Sequence, residues 1–203
     1  MAKVGILGGT FNPIHTGHLL LAKNAYNQLQ LDKVLIMPSG VSYFKINNDV
    51  QSKDVRADMV KLAIEEYPYF EFSDIELKRE GNTYTYETLE QLKETNPDDT
   101  YYFIIGADTL FSIEKWKFPE RIFSKCIIVV MVRDDCDIND VLDQCNYLKS
   151  KYLIETIVLN ADKIDISSTL IRNQIRDGLY DTNSDYLPKG VYSYIVNNNL
   201  YKN

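Results

Sequence analysis

A chain of 203 residues, 45% apolar and 25% charged, is long enough to bury a core and is expected to form one domain spanning residues 1–203. Its formal net charge of −7 excludes a general nucleic-acid binder, which needs a basic face, but leaves room for a small anionic ligand in a locally positive pocket. Three cysteines, Cys126, Cys136 and Cys145, form no CxxC pair and exclude a disulfide framework or a structural zinc site; no apolar run has the length to cross a bilayer and Met1 leads straight into a strand pattern, so the expectation is a cytoplasmic protein.

Short apolar runs alternate with helical patterns along the chain. Lys3–Leu7 (KVGIL) predicts a buried strand. Apolar residues at Leu19, Leu20, Ala22, Ala25, Tyr26 and Leu29 predict a helix over His15–Leu29. Lys33–Met37 predicts a second strand, ended by Pro38-Ser39-Gly40. A helix is expected from about Asp54, with Val55, Met59, Leu62 and Ala63 on its apolar side. Tyr69–Ile75 predicts a strand and Thr85–Glu94 a helix. Tyr101–Ile105 (YYFII) is a strand running into Gly106-Ala107-Asp108. Cys126–Val132 is the most apolar strand, followed by a helix over Asn139–Tyr152 and a short strand at Thr156–Leu159. Helices over Ser168–Asp177 and Lys189–Asn198 complete the chain. Gly40–Lys53 and Asp181–Asp185 are expected loops. The alternation of continuous apolar strands with helices predicts an α/β fold, an open, doubly wound, mostly parallel sheet with helices on both faces.

In such a sheet ligands sit beyond the carboxyl ends of the strands. GGTFNPIHTGH, Gly8 to His18, falls at that position after the first strand. Gly8 and Gly9 allow the backbone close to a ligand, and Pro13 stiffens the loop. Gly17 and His18 open the first helix, whose free N–H groups favour an anion. His15 and His18 are the only histidines of the chain. Spaced i, i+3, they share a face of one turn and can hold a phosphate. A glycine pair alone is a turn, and a lone histidine is structural. Both histidines at the mouth of the first strand–helix unit are a stronger signal. No GxGxxG is present, so hydride transfer is disfavoured.

A second cluster is ISSTLIR, Ile166 to Arg172. Ser167 or Ser168 can cap the helix that follows. The same hydroxyls and free N–H groups can bind phosphate, with the fork of Arg172 one turn on. Two helix N-termini armed in this way suit a triphosphate.

GGTFNPIHTGH together with ISSTLIR resembles the HxGH nucleotidylyltransferase superfamily. Within it the chain resembles the bacterial nicotinate-nucleotide adenylyltransferases, through VRADMVKLAI (Val55–Ile64), ELKREGNTYTYETL (Glu76–Leu89), FIIGADTLFSIEKW (Phe103–Trp116) and YLPKGVYSYIVNNNLY. The resemblance implies a Rossmann-like nucleotidylyltransferase fold. It implies transfer of the adenylyl group of ATP to nicotinate mononucleotide, giving nicotinate adenine dinucleotide and pyrophosphate by direct attack on the α-phosphorus. The catalytic residues implied are His15, His18 and Arg172. The loop Gly8, Gly9, Thr10 and Phe11, with Gly106, Asp108, Ser168 and Thr169, is implied to complete the ATP site. Lys45, Thr85, Trp116 and Lys117 are implied for the mononucleotide, Trp116 stacking on the ring. Mg²⁺ is expected on the ATP phosphates, with no protein ligand named.

Two positions depart from the family pattern. The family often carries PPHK after the second strand, where this chain has Ser42-Tyr43-Phe44-Lys45. Asn12 stands where the family often has Asp, and is given no charged role. Thr85 and Asp108 could equally be helix N-caps, and Trp116 could be core. On the residues alone, nicotinamide mononucleotide or phosphopantetheine as acceptor, CTP as donor, and a non-catalytic nucleotide sensor stay open. No nucleic-acid or membrane partner is expected, and a homo-oligomer is allowed.

Overall fold

The computed structural model describes residues 1–42, 50–132, 137–160, 166–182 and 184–202. Lys45 and Cys136 lie outside the described residues, as does much of the predicted Gly40–Lys53 loop.

The main sheet has six strands: β1 (Lys3–Gly9), β2 (Lys33–Pro38), β4 (Phe70–Phe72), β6 (Thr100–Gly106), β7 (Ile127–Val132) and β8 (Thr156–Asn160). Their order across the sheet is β4-β2-β1-β6-β7-β8, and every pairing is parallel. Counted within this sheet the order is 3-2-1-4-5-6, the doubly wound Rossmann arrangement, whose order reverses between β1 and β6. A separate parallel pair, β3 (Val41–Ser42) with β5 (Asn82–Thr83), was not legible in the sequence, because two-residue strands carry no periodicity.

Period-two alternation sends neighbouring strand residues to opposite faces. On β7, Ile128, Val130 and Val132 enter one core while Val129 and Met131 enter the other. The core that takes Val129 and Met131 is covered by α1 (Thr16–Leu29), α2 (Lys53–Ile64), α7 (Ser168–Arg176) and α8 (Lys189–Asn197). The core that takes Ile128, Val130 and Val132 is covered by α3 (Thr85–Thr95), α4 (Ala107–Leu110), α5 (Pro119–Phe123) and α6 (Ile138–Tyr152), with a 3₁₀ turn at Ile113–Lys115. Both faces are covered by helices, which is why the central strands read as unbroken apolar runs.

Several boundaries differ from the sequence expectation. The first strand does not end at Leu7. β2 runs on to Pro38, so Gly8 pairs with Met37 and Gly9 with Pro38, and the ladder holds both glycines. The strand expected over Tyr69–Ile75 shrinks to Phe70–Phe72, which pairs with Val34–Ile36 of β2 at the sheet edge. α5, with Pro119 at its start, was not predicted, being too short to show a helical period.

Candidate active site

The carboxyl ends of β1 and β6 flank the point where the strand order reverses, and the expected ligand crevice lies there. From Gly9 the chain turns sharply. Phe11 takes φ 49°, a left-handed conformation uncommon for a bulky residue, and is 2% exposed. The Asn12–Pro13 peptide is cis. His15 is then the N-cap of α1 in extended conformation, and His18 is its third residue.

Three rings result in a row. Phe11 meets His18 edge to face with centroids 5.0 Å apart, and His18 stacks on His15 at 3.7 Å. The strained backbone at Phe11 drives its ring into the core, where it backs His18. The His15 backbone N–H donates to His18 Nδ1 at 3.2 Å. That bond keeps Nδ1 an acceptor, so the ring proton sits on Nε2, where it can be given to a ligand oxygen. His15 is 4% exposed, so His18 is the more open imidazole. Gly17 separates the pair because there is no space for more: a Cβ there would lie 2.9 Å from Ile166 Cγ2 and 3.0 Å from His15 Nδ1.

The second predicted cluster is bound directly to the first. Ser167 is the N-cap of α7, its hydroxyl accepting from the Leu170 N–H at 3.1 Å. Ser168 Oγ donates to the Pro13 carbonyl at 2.8 Å. Arg172 Nη1 donates to the Asn12 carbonyl at 2.9 Å and Nη2 to Thr169 Oγ1 at 3.4 Å. Segments 155 residues or more apart in sequence therefore share one wall. Two of the five N–H groups of Arg172 are used in these bonds, which fixes its fork and, among the described residues, leaves three for a ligand.

Behind this wall lies a buried polar network that sequence reasoning did not assign. Asn12 Oδ1 accepts from the Gln51 N–H at 3.1 Å and from the Tyr201 hydroxyl at 2.9 Å. Arg56, 2% exposed, donates through Nη1 to the Thr10 carbonyl at 2.8 Å and through Nε to the Gln51 carbonyl at 3.1 Å. Burial pulls the Arg56 guanidinium below its ordinary range, opposed by Tyr201 and Glu76. Burial raises the Tyr201 hydroxyl, opposed by Arg172 and Arg56, so it stays a donor. The signal was present: Arg56 shares the i, i+3, i+4, i+7 face with Met59, Val60 and Ala63, all buried. A charged residue on an apolar stripe is a residue with a partner.

On the β6 side, α4 starts at Ala107 with Gly106 as its N-cap, so the alternative of Asp108 as a helix N-cap is not realised. Asp108 lies in the first turn, exposed, its Oδ1 2.6 Å from where a Gly106 Cβ would be. Gly106 makes room for that carboxylate. Thr85 is likewise one residue inside α3, whose N-cap is Tyr84. Trp116 is half-buried, edge-on to Phe103 at 6.1 Å. Phe103 in turn faces Gly8, a Cβ at which would touch its ring at 4.0 Å. Lys117 Nζ lies 4.1 Å from the Tyr84 ring centroid, which brings Trp116–Lys117 beside Thr85. The structure thus gathers Thr85, Trp116 and Lys117 on one side, and His15, His18, Ser168, Thr169 and Arg172 on the other. Phe11 withdraws its side chain, so any ligand contact there falls to its backbone. A hollow of about 500 Å³ between Tyr101, Lys125 and Glu155 opens at the amino ends of β6, β7 and β8, away from all of these groups.

A family model described as cytidylyltransferase-like matches residues 6–174. A protein of Lachnoclostridium phytofermentans named "Probable nicotinate-nucleotide adenylyltransferase" is 41% identical over 201 residues, covering 99% of this chain and 100% of its own. One of the same name from Carboxydothermus hydrogenoformans is 42% identical over 201 residues, covering 99% and 98%. Among solved structures, Plasmodium falciparum nicotinic acid mononucleotide adenylyltransferase complexed with NaAD superposes with a TM-score of 0.80 at 21% identity, covering 99% of this chain and 98% of that one. At that identity the likeness carries the fold, in agreement with the Rossmann-like order of the sheet.

Proposed function

From the premise that the chain belongs to the cytidylyltransferase-like family, and within it to the nicotinate-nucleotide adenylyltransferases, we infer that it transfers the adenylyl group of ATP to nicotinate mononucleotide. An oxygen of the mononucleotide phosphate attacks the α-phosphorus. The bond from that phosphorus to the bridging oxygen of the β-phosphate breaks, pyrophosphate leaves, and nicotinate adenine dinucleotide forms. We take residues 1–203 to act as one catalytic domain.

The observation that carries this reading is the joining of the two phosphate-directed segments through Ser168 to Pro13 and Arg172 to Asn12. In-line transfer between phosphates needs little covalent chemistry from the protein; it needs position and a charge field fixed in advance. His18 Nε2–H is assigned to a non-bridging oxygen of the α-phosphate, where charge builds up. His15, stacked on it, orients it. The free N–H groups of Arg172, the α7 N-terminus and Thr169 are assigned to the departing β- and γ-phosphates. Gly8, Gly9 and Thr10 line the phosphate path, and Gly106 and Asp108 face the adenosine, the carboxylate accepting from ribose hydroxyls. Trp116, Thr85 and Lys117 receive the pyridine ring and its carboxylate.

Among the described residues no group of three or more His, Cys, Asp or Glu side chains converges on one point. The donors near the crevice are one carboxylate and two imidazoles, a poor set for a hard cation that demands oxygen. Mg²⁺ fits here as the partner of ATP, held by phosphate oxygens and water. When bound it would supply neutralisation of phosphate charge, while the chain's own groups orient the phosphates.

Pyrophosphate release is the test, with ATP and Mg²⁺ and either nicotinate or nicotinamide mononucleotide as acceptor. Fast release with the nicotinate form alone supports the assignment. Equal use of both removes the acceptor specificity, and release only with another acceptor or nucleotide overturns the reading.

A further inference from the structure

The segment carrying Trp116 and Lys117 is tied down at both ends by ionic clusters that the proposed chemistry does not use. At the near end, Glu114 of the 3₁₀ turn collects donors from α6 on a single oxygen. Lys151 Nζ lies 2.7 Å from Oε1, the Tyr152 hydroxyl 2.9 Å and the Tyr147 hydroxyl 3.4 Å, and Lys151 also donates to Tyr147 at 2.9 Å. The Lys151 ammonium, with the two hydroxyls, holds the Glu114 carboxyl below its usual range. At the far end, Arg121 of α5 grips both carboxylate oxygens of Glu90 on α3, at 2.8 and 2.5 Å. Its guanidinium lies 4.2 Å from the Tyr86 ring centroid.

An isolated, exposed ion pair contributes little to global stability, so stability alone is a weak reason for two such clusters. What they share is the short stretch between them. Within it Phe118 takes φ 54° while remaining 44% exposed, a left-handed backbone that the core does not impose. Phe118 is the N-cap of α5, its carbonyl accepting from the Arg121 and Ile122 N–H groups and its ring meeting Tyr86 edge-on at 5.2 Å, and the stretch around it is flanked by the two clusters. They come from different helices, α6 and α3, and close on the stretch from two directions.

We propose that Glu114–Lys151 and Glu90–Arg121 are positioning pairs that preset the Trp116–Lys117 segment against Tyr84 and Thr85, so that the acceptor's ring enters a slot already formed. The identity of that acceptor rests on the function proposed above; the presetting of the segment does not. A slot ordered before binding spares the ligand the cost of ordering it, and the gain appears in acceptor affinity rather than in the chemical step.

The chain has one tryptophan, so its fluorescence reports on this segment alone. The experiment compares wild type with Glu114→Gln, Lys151→Met and Lys151→Arg. It reads iodide quenching of Trp116, KM for each substrate, kcat and Tm. In Glu114→Gln and Lys151→Met, quenching is expected to rise about twofold and KM for nicotinate mononucleotide about five- to tenfold. KM for ATP, kcat and Tm should stay near wild type, and Lys151→Arg should restore the wild-type values. A lower Tm with unmoved quenching and acceptor KM would make the clusters merely structural and overturn the proposal. Parallel rises in both KM values would overturn it too. Should Glu114→Gln fail to fold, Glu90→Gln tests the same claim from the other end. If wild type does not use nicotinate mononucleotide, the acceptor reading fails, and the quenching comparison still decides whether the pairs hold the segment.

Discussion

Replacing Gly17 by alanine asks the start of α1 to accept one methyl group between the two histidines. On helix propensity alone the change stabilises by about 0.5–1 kcal/mol, worth roughly 1–4 °C in a chain of this length. The packing opposes it. The new Cβ would meet Ile166 Cγ2 at 2.9 Å and the His15 ring at 3.0 and 3.1 Å. Ile166 is 6% exposed and His15 4%, so neither has open space to move into. Overpacking of this kind costs about 1–3 kcal/mol, leaving a net loss of roughly 0–2.5 kcal/mol. The effect on catalysis is larger. His15 stacks on His18 at 3.7 Å, and pushing one ring tilts the other. A misplacement of about 1 Å costs on the order of a hundredfold in rate. The variant should therefore keep a cooperative melt within several degrees of wild type while kcat for pyrophosphate release falls about a hundredfold. A Tm raised by roughly 1–4 °C with unchanged kcat would refute the reasoning, since it would mean that the methyl fits and the stacked pair is not what the glycine protects.

His18→Ala removes a half-exposed ring and should lower kcat by about 10²–10³-fold with Tm almost unmoved; a variant with wild-type turnover would take His18 out of the reaction. Arg56→Met leaves the Thr10 and Gln51 carbonyls without their charged donor. The expected loss is about 3 kcal/mol, seen as a Tm fall of roughly 6–12 °C in thermal melts, and an unchanged Tm would show that the buried network is idle. Burial pushes the Cys126 thiol up to about 12. Thiolate forms only as pH nears that value, so iodoacetamide at pH 8 should leave the half-buried Cys126 unmodified in native protein and alkylate it in urea; native labelling seen by peptide mapping would show that the thiol is not held protonated.

How much of this was legible depends on the length scale of each signal. The six strands of the main sheet and six of its helices announced themselves because the central strands are buried on both faces and the helical periods are long. Gly8, Gly9, His15 and His18 were found because they cluster in one loop, and ISSTLIR because it opens a helix. That these two segments touch was not visible, since the contacts run from side chains to backbone carbonyls at Asn12 and Pro13, which any residue supplies. The alternatives of Thr85 and Asp108 as caps each fell inside the helix, because Tyr84 and Gly106 cap through backbone conformation without a side-chain bond. The supporting shell of Arg56, Asn12 and Tyr201 was missed for a different reason. Its members lie far apart in sequence, and each reads alone as an ordinary polar residue. Lys45, expected at the mononucleotide, falls outside the described residues.

The central claim is that an adenylyl group, and not a phosphoryl group, passes from ATP to a mononucleotide. The most direct measurement follows two radiolabels through one reaction with nicotinate mononucleotide and Mg²⁺. With ATP labelled at the α-phosphate, label should move into nicotinate adenine dinucleotide. With ATP labelled at the γ-phosphate, all released label should appear in pyrophosphate. Label from the γ-position on the acceptor, or no α-label in any dinucleotide, would contradict the account.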